Sequence, residues 1–450
     1  MHRCPLYDET HRPQFHFTPK RNWTNDPNGL VYYQGEYHLF FQHNPVSVRW
    51  GNMTWGHAVS PDLVHWEQLA NAIEPDELGT VFSGSAVVDW RNTAGFQQGG
   101  EKALVAFFTS AGDQAPQPRP FTQSIAYSLD RGRSWTRYAG NPVLGHIRAH
   151  NRDPKVIWHE PSGRWVMALF LDGNDYALFG SADLKSWQHL SDVHLEGASE
   201  CPDFFPLPVD GDPAAVLWVF WGGNGSYAMG AFDGRSFVPE GSVRRSELGA
   251  NGYAAQSWSD IPSEDGRRIQ ISWMSGGKYP AMPFNQQMSL PVALSLHSSA
   301  DGVRLCRWPV QEIERLRVGR HAWCDESLLE GKDLIPESSG ELFDIEMEVD
   351  PGRAQAFGVW VRGLDLCCDV QQGTISFLDR SAPLPVAHGR VRLRALVDRT
   401  SLEVFADQGQ VSMSFCFLPE ASDHPLVFYS RGGSARLISL EVHELRSAWR

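Results

Sequence analysis

Ser60-Pro61-Asp62-Leu63-Val64-His65-Trp66 and Ser181-Ala182-Asp183-Leu184-Lys185-Ser186-Trp187 are two copies of one pattern. Ser128-Leu129-Asp130-Arg131-Gly132-Arg133-Ser134-Trp135 is a third, with one residue inserted. In each, a strand-like run ends at the serine, Ser and Asp side chains make a turn, and the tryptophan leads into the next strand. A hairpin that recurs at intervals of some tens of residues points to a β-propeller, in which each blade is a four-stranded sheet. The surrounding chain agrees: from Phe15 to about residue 300, short strand patterns (37–42, 54–59, 84–89, 104–109, 165–171 and 216–221 among them) are broken by Gly, Asn, Asp and Pro, with no strong amphipathic helix between them. Five blades suit this length, and the propeller is predicted over residues 10–304.

The stretch C-R-W-P-V-Q-E-I-E-R-L-R at 306–317 reads as a short helix, with Pro309 near its start and Ile313 and Leu316 three residues apart. It is taken as the centre of a linker over 305–322. From 323 to 450 the period-two alternation resumes without the Ser-Asp-Trp signal, in runs such as 342–349, 356–361, 391–397 and 411–417. About seven strands in this space suit a β-sandwich. The predicted fold class is all-β, a five-bladed β-propeller followed by a C-terminal β-sandwich.

Composition excludes several functions. A formal charge of −14 argues against nucleic acid as a partner, since phosphate contacts need clustered Lys and Arg. No stretch of about 18 apolar residues could span a bilayer, and the first ten residues carry no signal-type apolar run, so the expectation is a cytoplasmic protein with no membrane partner. Seven cysteines (Cys4, Cys201, Cys306, Cys324, Cys367, Cys368 and Cys416) form no C-x-x-C pair and no metal-ligand spacing, and the histidines form no H-E-x-x-H motif. Free thiols, no metal and no cofactor are expected. The 17 Trp and 24 Phe supply flat apolar rings suited to sheet surfaces and to sugar faces, which favours a neutral partner.

Three acids stand out against this background. Asp26, within W-T-N-D-P-N-G-L (23–30), is placed at a strand mouth: Pro27 disfavours helical backbone at Asp26 and pushes it toward extended backbone, and Asn28-Gly29 is turn chemistry. Arg152-Asp153-Pro154 repeats the Asp-Pro device, with Arg152 expected to keep Asp153 ionised. Glu200, opening E-C-P-D-F-F-P, precedes an apolar run, a setting that raises a carboxyl pKa as a general acid requires; Asp203 is the rival in that segment. Any one of these alone is equally an ordinary turn or edge ion pair. In a propeller, however, the innermost strands of different blades converge on one axis, so acids far apart in the chain can meet. Two carboxyls with a third stabilising acid, among aromatics and without a metal, are what glycoside hydrolysis uses.

The chain also resembles a known family. W-T-N-D-P-N-G-L, F-F-Q-H-N-P (40–45), W-G-N-M-T-W-G-H-A-V-S (50–60), F-S-G-S-A-V (82–87), R-D-P-K-V (152–156) and E-C-P-D-F-F (200–205) are similar, in order, to the motifs of the family 32 glycoside hydrolases: invertases, levanases, inulinases and fructan exohydrolases. The similarity continues through I-S-W-M (271–274), M-S-L-P (288–291) and D-R-T-S-L-E-V-F (398–405). The resemblance implies a five-bladed propeller with a β-sandwich, Asp26 as nucleophile, Glu200 as acid/base and Asp153 as transition-state stabiliser. It further implies fructose contacts at Asn25, Gln42, Trp50, Phe82, Ser83, Arg152 and Trp273. The implied activity is a retaining hydrolase that releases fructose from levan- or inulin-type oligosaccharides, with sucrose as a close second substrate. Thr24 and Thr54 depart from the family's usual residues and are expected to border the pocket, where they bear on substrate choice.

Other readings stay open on sequence alone. Within the family these are an invertase acting mainly on sucrose and a fructosyltransferase. Residues 128–135 also resemble the Asp-box of sialidases, although no matching arginine triad is found. A non-catalytic sugar-binding propeller would need a broken acid set, and here all three acids are present.

Overall fold

The computed structural model describes residues 6–449. Met1 to Pro5, read above for a signal, lie outside the described residues, as does Cys4. The other six cysteines are free thiols.

Five four-stranded antiparallel units follow one another. Asn22–Tyr33, Glu36–Asn44, Thr54–Ser60 and Glu67–Gln68 make the first blade, and Thr80–Asp89, Ala103–Ala111, Thr122–Ser128 and Thr136–Arg137 the second. The third is Arg152–His159, Arg164–Asp172, Asp175–Ser181 and Gln188–His194; the fourth is Asp203–Val209, Asp212–Trp221, Ser226–Phe232 and Phe237–Arg245. Gly252–Ser257, Arg268–Met274, Val292–His297 and Arg304–Pro309 form the fifth, joined edgewise to the fourth through a single pairing of Val209 with Leu296. The ring closes where Ser259 exchanges backbone hydrogen bonds with Leu30 and Tyr32, and where Phe284–Asn285 runs parallel to Asn22 and Trp23.

The repeated motif occupies the turn between third and fourth strands in blades one to three. Asp62 accepts the amides of Val64 and His65, and Asp183 those of Lys185 and Ser186, while each serine oxygen accepts the following aspartate's amide. In all three copies the tryptophan indole donates to the carbonyl three residues back, at 3.1, 3.1 and 3.2 Å. Blade four carries a reduced copy that sequence inspection passed over, Asp233-Gly234-Arg235-Ser236-Phe237, in which Asp233 caps Arg235 and Ser236. Between blades the core is aromatic and aliphatic. Phe107, Val156, Met167 and Leu169 fill the second interface, and Phe204, Phe220 and Tyr176 belong to the core between blades three and four.

The segment expected as a linker with a helix divides differently. Cys306 to Pro309 lie in the last strand of blade five, paired with Val292–His297, and only Gln311–Leu316 is helical, as a single 3-10 stretch. The three-residue spacing of Ile313 and Leu316 matches that tighter period, and both are fully buried. Arg317–Leu328 is already the edge strand of the second unit, whose six-stranded and five-stranded sheets enclose Phe343, Val359, Val404 and Phe415.

The sandwich is bolted to the propeller by buried charge. His16 sits between Asp398 (2.8 Å) and Glu403 (2.7 Å), all three essentially without solvent exposure, and Asp398 also accepts the amides of Gln14, Phe15 and His16. Burial opposes a charged imidazole, yet the hydrogen bonds its ring nitrogens donate to both carboxylates hold its pKa up at about 9. A histidine pKa raised on folding stabilises fully below the unfolded value near 6.5, and the contribution, on the order of 3 kcal/mol, is lost as pH rises through 9. The thermal midpoint is therefore expected to fall between pH 7 and 9.5 in the wild type, and calorimetry of His16→Gln should show a lower midpoint with that dependence flattened. An unaltered slope would mean that the pair is not ionic.

Candidate active site

Every innermost strand starts at the same end of the propeller axis, and most of the predicted site residues are found at or just before those starts; Gln42 lies on the second strand of blade one, Trp50 on the loop after it and Trp273 on the second strand of blade five. Asn25 and Asp26 lie on the first strand of blade one, Phe82 and Ser83 on that of blade two, Arg152 and Asp153 on that of blade three. Glu200 precedes that of blade four, and Tyr253 begins that of blade five. They open into one cavity of about 380 Å³, lined by all ten predicted residues, Asn25, Asp26, Gln42, Trp50, Phe82, Ser83, Arg152, Asp153, Glu200 and Trp273.

Asp26 does not stand at a turn. Asn22–Tyr33 is one continuous strand with register shifts on either side of Pro27-Asn28, so Asn28-Gly29 makes a bulge rather than a hairpin loop. Gly29 has φ +56°, and a Cβ there would lie 2.5 Å from the Phe40 ring. The Asp26 carboxylate is oriented by Ser83 Oγ at 2.6 Å and by Asn25 Nδ2 at 3.1 Å, and Asn25 is fixed in turn by the Trp23 indole.

Asp153 is buried, and its backbone is not extended: φ is +64°, while Glu200 and Cys201 are also left-handed at +44° and +36°. Such conformations cost on the order of 1–3 kcal/mol each in non-glycine residues and gather where geometry is functionally fixed. Asp153 accepts the Cys201 amide at 3.0 Å, and its own amide donates to Thr109. Its carboxyl is pushed up to about 7, first by burial and then by the charges of Glu200 and Asp26, against the pull of Arg152. The expectation that Arg152 keeps it ionised is thus corrected: the guanidinium stands 3.8 Å away and shares its charge with Glu200 at 3.2 Å, which does not outweigh full desolvation. An oxygen of Asp153, one of Glu200 and the Cys201 sulfur all lie within 4.8 Å of one another, and the same thiol is 3.6 Å from Asp26.

Glu200 differs from its sequence portrait. The apolar run after it turns into the core, with Phe204 and Phe205 buried, while the Glu200 side chain is 36% exposed at the cavity wall. Asp203 is removed from the site: fully buried, it pairs with Lys155 at 3.1 Å and accepts the Ser257 amide. The walls are aromatic, with Trp50 half exposed at the rim, edge-on to Phe82, and Trp273 edge-on to Trp23 and Tyr253. Thr24 and Thr54 do not border the cavity; both are buried in paired strands opposite His43.

Four lining residues escaped the sequence reading: Asp113, Phe121, His150 and Tyr253. Tyr253 was discoverable, because counting blades places N-G-Y-A-A-Q-S as the fifth inner strand. Asp113 and Phe121 lie between the second and third strands of blade two, and His150 lies just before blade three, on loops without a pattern.

Three carboxyls gathered from three blades, two of them gripped by one arginine, inside an aromatic-walled cavity at a propeller mouth, define a glycoside hydrolase. The chain belongs to glycosyl hydrolase family 32: the family's N-terminal domain matches residues 16–309 and its C-terminal domain residues 312–444. It is 42% identical to a levanase of Bacillus subtilis, over 98% of this chain and 72% of that protein. It is 32% identical to an extracellular exo-inulinase of Aspergillus ficuum, over 98% of this chain and 96% of that one. The crystal structure of an exo-inulinase from Aspergillus awamori superposes with a TM-score of 0.89 at 30% identity, covering 98% of this chain and all of that one.

Proposed function

We propose that this protein is a retaining β-fructofuranosidase that releases terminal fructose from levan- or inulin-type oligosaccharides and, secondarily, from sucrose. Asp26 attacks the anomeric C2 of the fructosyl unit while Glu200 gives its proton to the departing glycosidic oxygen, so that the C2–oxygen bond breaks as the Asp26 ester forms. Water then attacks C2, surrendering a proton to Glu200, and Asp26 leaves as the carboxylate. Asp153 holds ring hydroxyls of the fructosyl unit, Arg152 fixes Asp153 and Glu200 relative to each other, and Trp50, Phe82 and Trp273 wall the ring, with Asn25, Gln42 and Ser83 completing its polar surround.

What carries this reading is the meeting of Asp26 and Glu200 in one cavity, two carboxyls from blades one and four with hydrogen-bonded positions for the first and an arginine partner for the second. The names of the similar proteins, levanase and exo-inulinase, support fructans over sucrose as the main substrate. Incubation with levan, inulin, short fructo-oligosaccharides and sucrose, followed by NMR during the first turnovers, tests it. Fructose should appear first as the β-furanose anomer. No fructose from any substrate, or the α anomer first, would overturn it.

A further inference from the structure

The inner strand of blade three has Asp153 near its start and His159 at its end, ~20 Å further along the strand. His159 lines a separate cavity of about 430 Å³, which shares no residue with the one that holds the three acids. Its walls come from the close of that strand and from the paired first and second strands of blade four. Three of them are flat rings: Trp158, Trp218 and Phe232, with Trp218 packed on Phe232 at 4.9 Å. Two polar lining residues have bonding capacity to spare. Arg268, its guanidinium 5.2 Å above the Phe205 ring, donates one hydrogen bond, from Nη1 to the Trp258 carbonyl at 3.1 Å, and its other N–H groups have no partner among the described residues. His159 is only 4% exposed; Ser162 takes its Nδ1 at 2.6 Å, and its Nε2 has no partner among the described residues. Glu160, which also pairs with Arg91 at 2.8 Å, and Asp233, which also caps its own turn, add carboxylate acceptors.

Rings beside both spare donors and acceptors suit a neutral, hydroxyl-bearing ligand, whose C–H face packs on an aromatic ring while its hydroxyls bond to the polar groups. An anion would meet Glu160 and Asp233, and a cation would meet Arg268. None of these residues takes part in the mechanism above. We propose that this cavity is a second carbohydrate site, which holds one sugar residue of a fructan polymer at a distance from the residue being cleaved. The inference rests on the reading of the protein as a fructan hydrolase. A polymer can occupy both cavities, and the second contact then forms at high effective concentration and tightens the whole. A trisaccharide is too short to reach both, so it gains nothing.

The test compares levan with a levan-type trisaccharide in two variants outside the active site. Val216, on the cavity wall, is 44% exposed, so Val216→Arg fills the space without disturbing the core, and Trp158→Ala removes one ring. Each should raise KM for levan about tenfold and leave kcat, and both constants for the trisaccharide, unchanged. In native gels containing levan, Val216→Arg should also be retarded less than the wild type. An unchanged KM for levan in Val216→Arg, an equal rise for levan and trisaccharide, or equal retardation of the two proteins would overturn the proposal. If the wild type cleaves neither substrate the underlying reading falls, and the gel comparison alone then decides whether the cavity binds the polymer.

Discussion

Asp26→Ala is expected to reduce fructose release by roughly 10⁴-fold or more while the protein stays folded, because the proposed mechanism loses the carboxylate that attacks C2. Removing the Asp26 side chain leaves Ser83 and Asn25 lining the cavity, where water entering the vacated space can satisfy them. The companion variant, Glu200→Gln, should cost roughly 10²–10⁴-fold on natural substrates, with KM little changed. Its deficit should shrink for 4-nitrophenyl β-fructofuranoside, whose leaving group departs without a proton. An equal loss on both substrates would mean that Glu200 is not the acid.

Asp153→Asn should behave in an opposite way for stability and for catalysis. An acid whose pKa rises on folding, here from 3.8 to about 7, binds protons more tightly in the folded state than in the unfolded one. Stability therefore falls as pH climbs from 3.8 to 7, and above 7 the full cost of a buried, crowded carboxylate remains, on the order of 4 kcal/mol. Asparagine keeps the shape and removes the charge. The variant's thermal midpoint should exceed that of the wild type at pH 8, by more than at pH 5, while activity falls roughly 10²–10³-fold, the usual cost of losing one group that grips a transition state. A midpoint lowered at both pH values would show that Asp153 is held by its hydrogen bonds rather than burdened by its charge. Like the left-handed backbone at Asp153, Glu200 and Cys201, this burden is stability given up at the place where geometry matters most.

Why some of this was legible from residues alone has a physical basis. The outer turns of the blades repeat because they solve one problem, capping three or four orphan amides beside a tryptophan, and Ser-x-Asp with Trp is visible wherever it is used. The inner strands solve different problems in each blade, so they carry no shared signature. Asn22–Tyr33 contains Asn, Asp, Pro and Gly, and Arg152–His159 contains Asp-Pro, which read as turns. These starts face a water-filled mouth, so their first residues are polar where the alternation rule expects apolar ones, and proline is tolerated because a strand edge has amides to spare. The strand character of 22–29 and 152–154 was therefore hidden by the very residues that made the site conspicuous.

Burial was the other hidden quantity. Sequence neighbours suggested a desolvated Glu200 and an Arg-neutralised Asp153, and the fold reverses the two: Phe204 and Phe205 carry their apolar surface into the core, and Thr109 and Cys201 close over Asp153. Thr24, next in sequence to the lining residue Asn25, points to the opposite face because strand side chains alternate, and Thr54 is buried across from it against His43. The 3-10 turn at Gln311–Leu316 was announced by its apolar spacing, whereas the strands around it were masked by charged residues such as Arg304, Arg307 and Arg317, which pair with acids at the sandwich interface or at the surface.

The most direct measurement is to mix Glu200→Gln with 4-nitrophenyl β-fructofuranoside, quench with acid and map the modified peptide by mass spectrometry. Glutamine cannot activate water, so the covalent species should accumulate. The account predicts one anhydrofructose on the peptide containing Asp26 and on no other. An adduct on Asp153 instead, or a product of inverted configuration with no adduct at all, would contradict it.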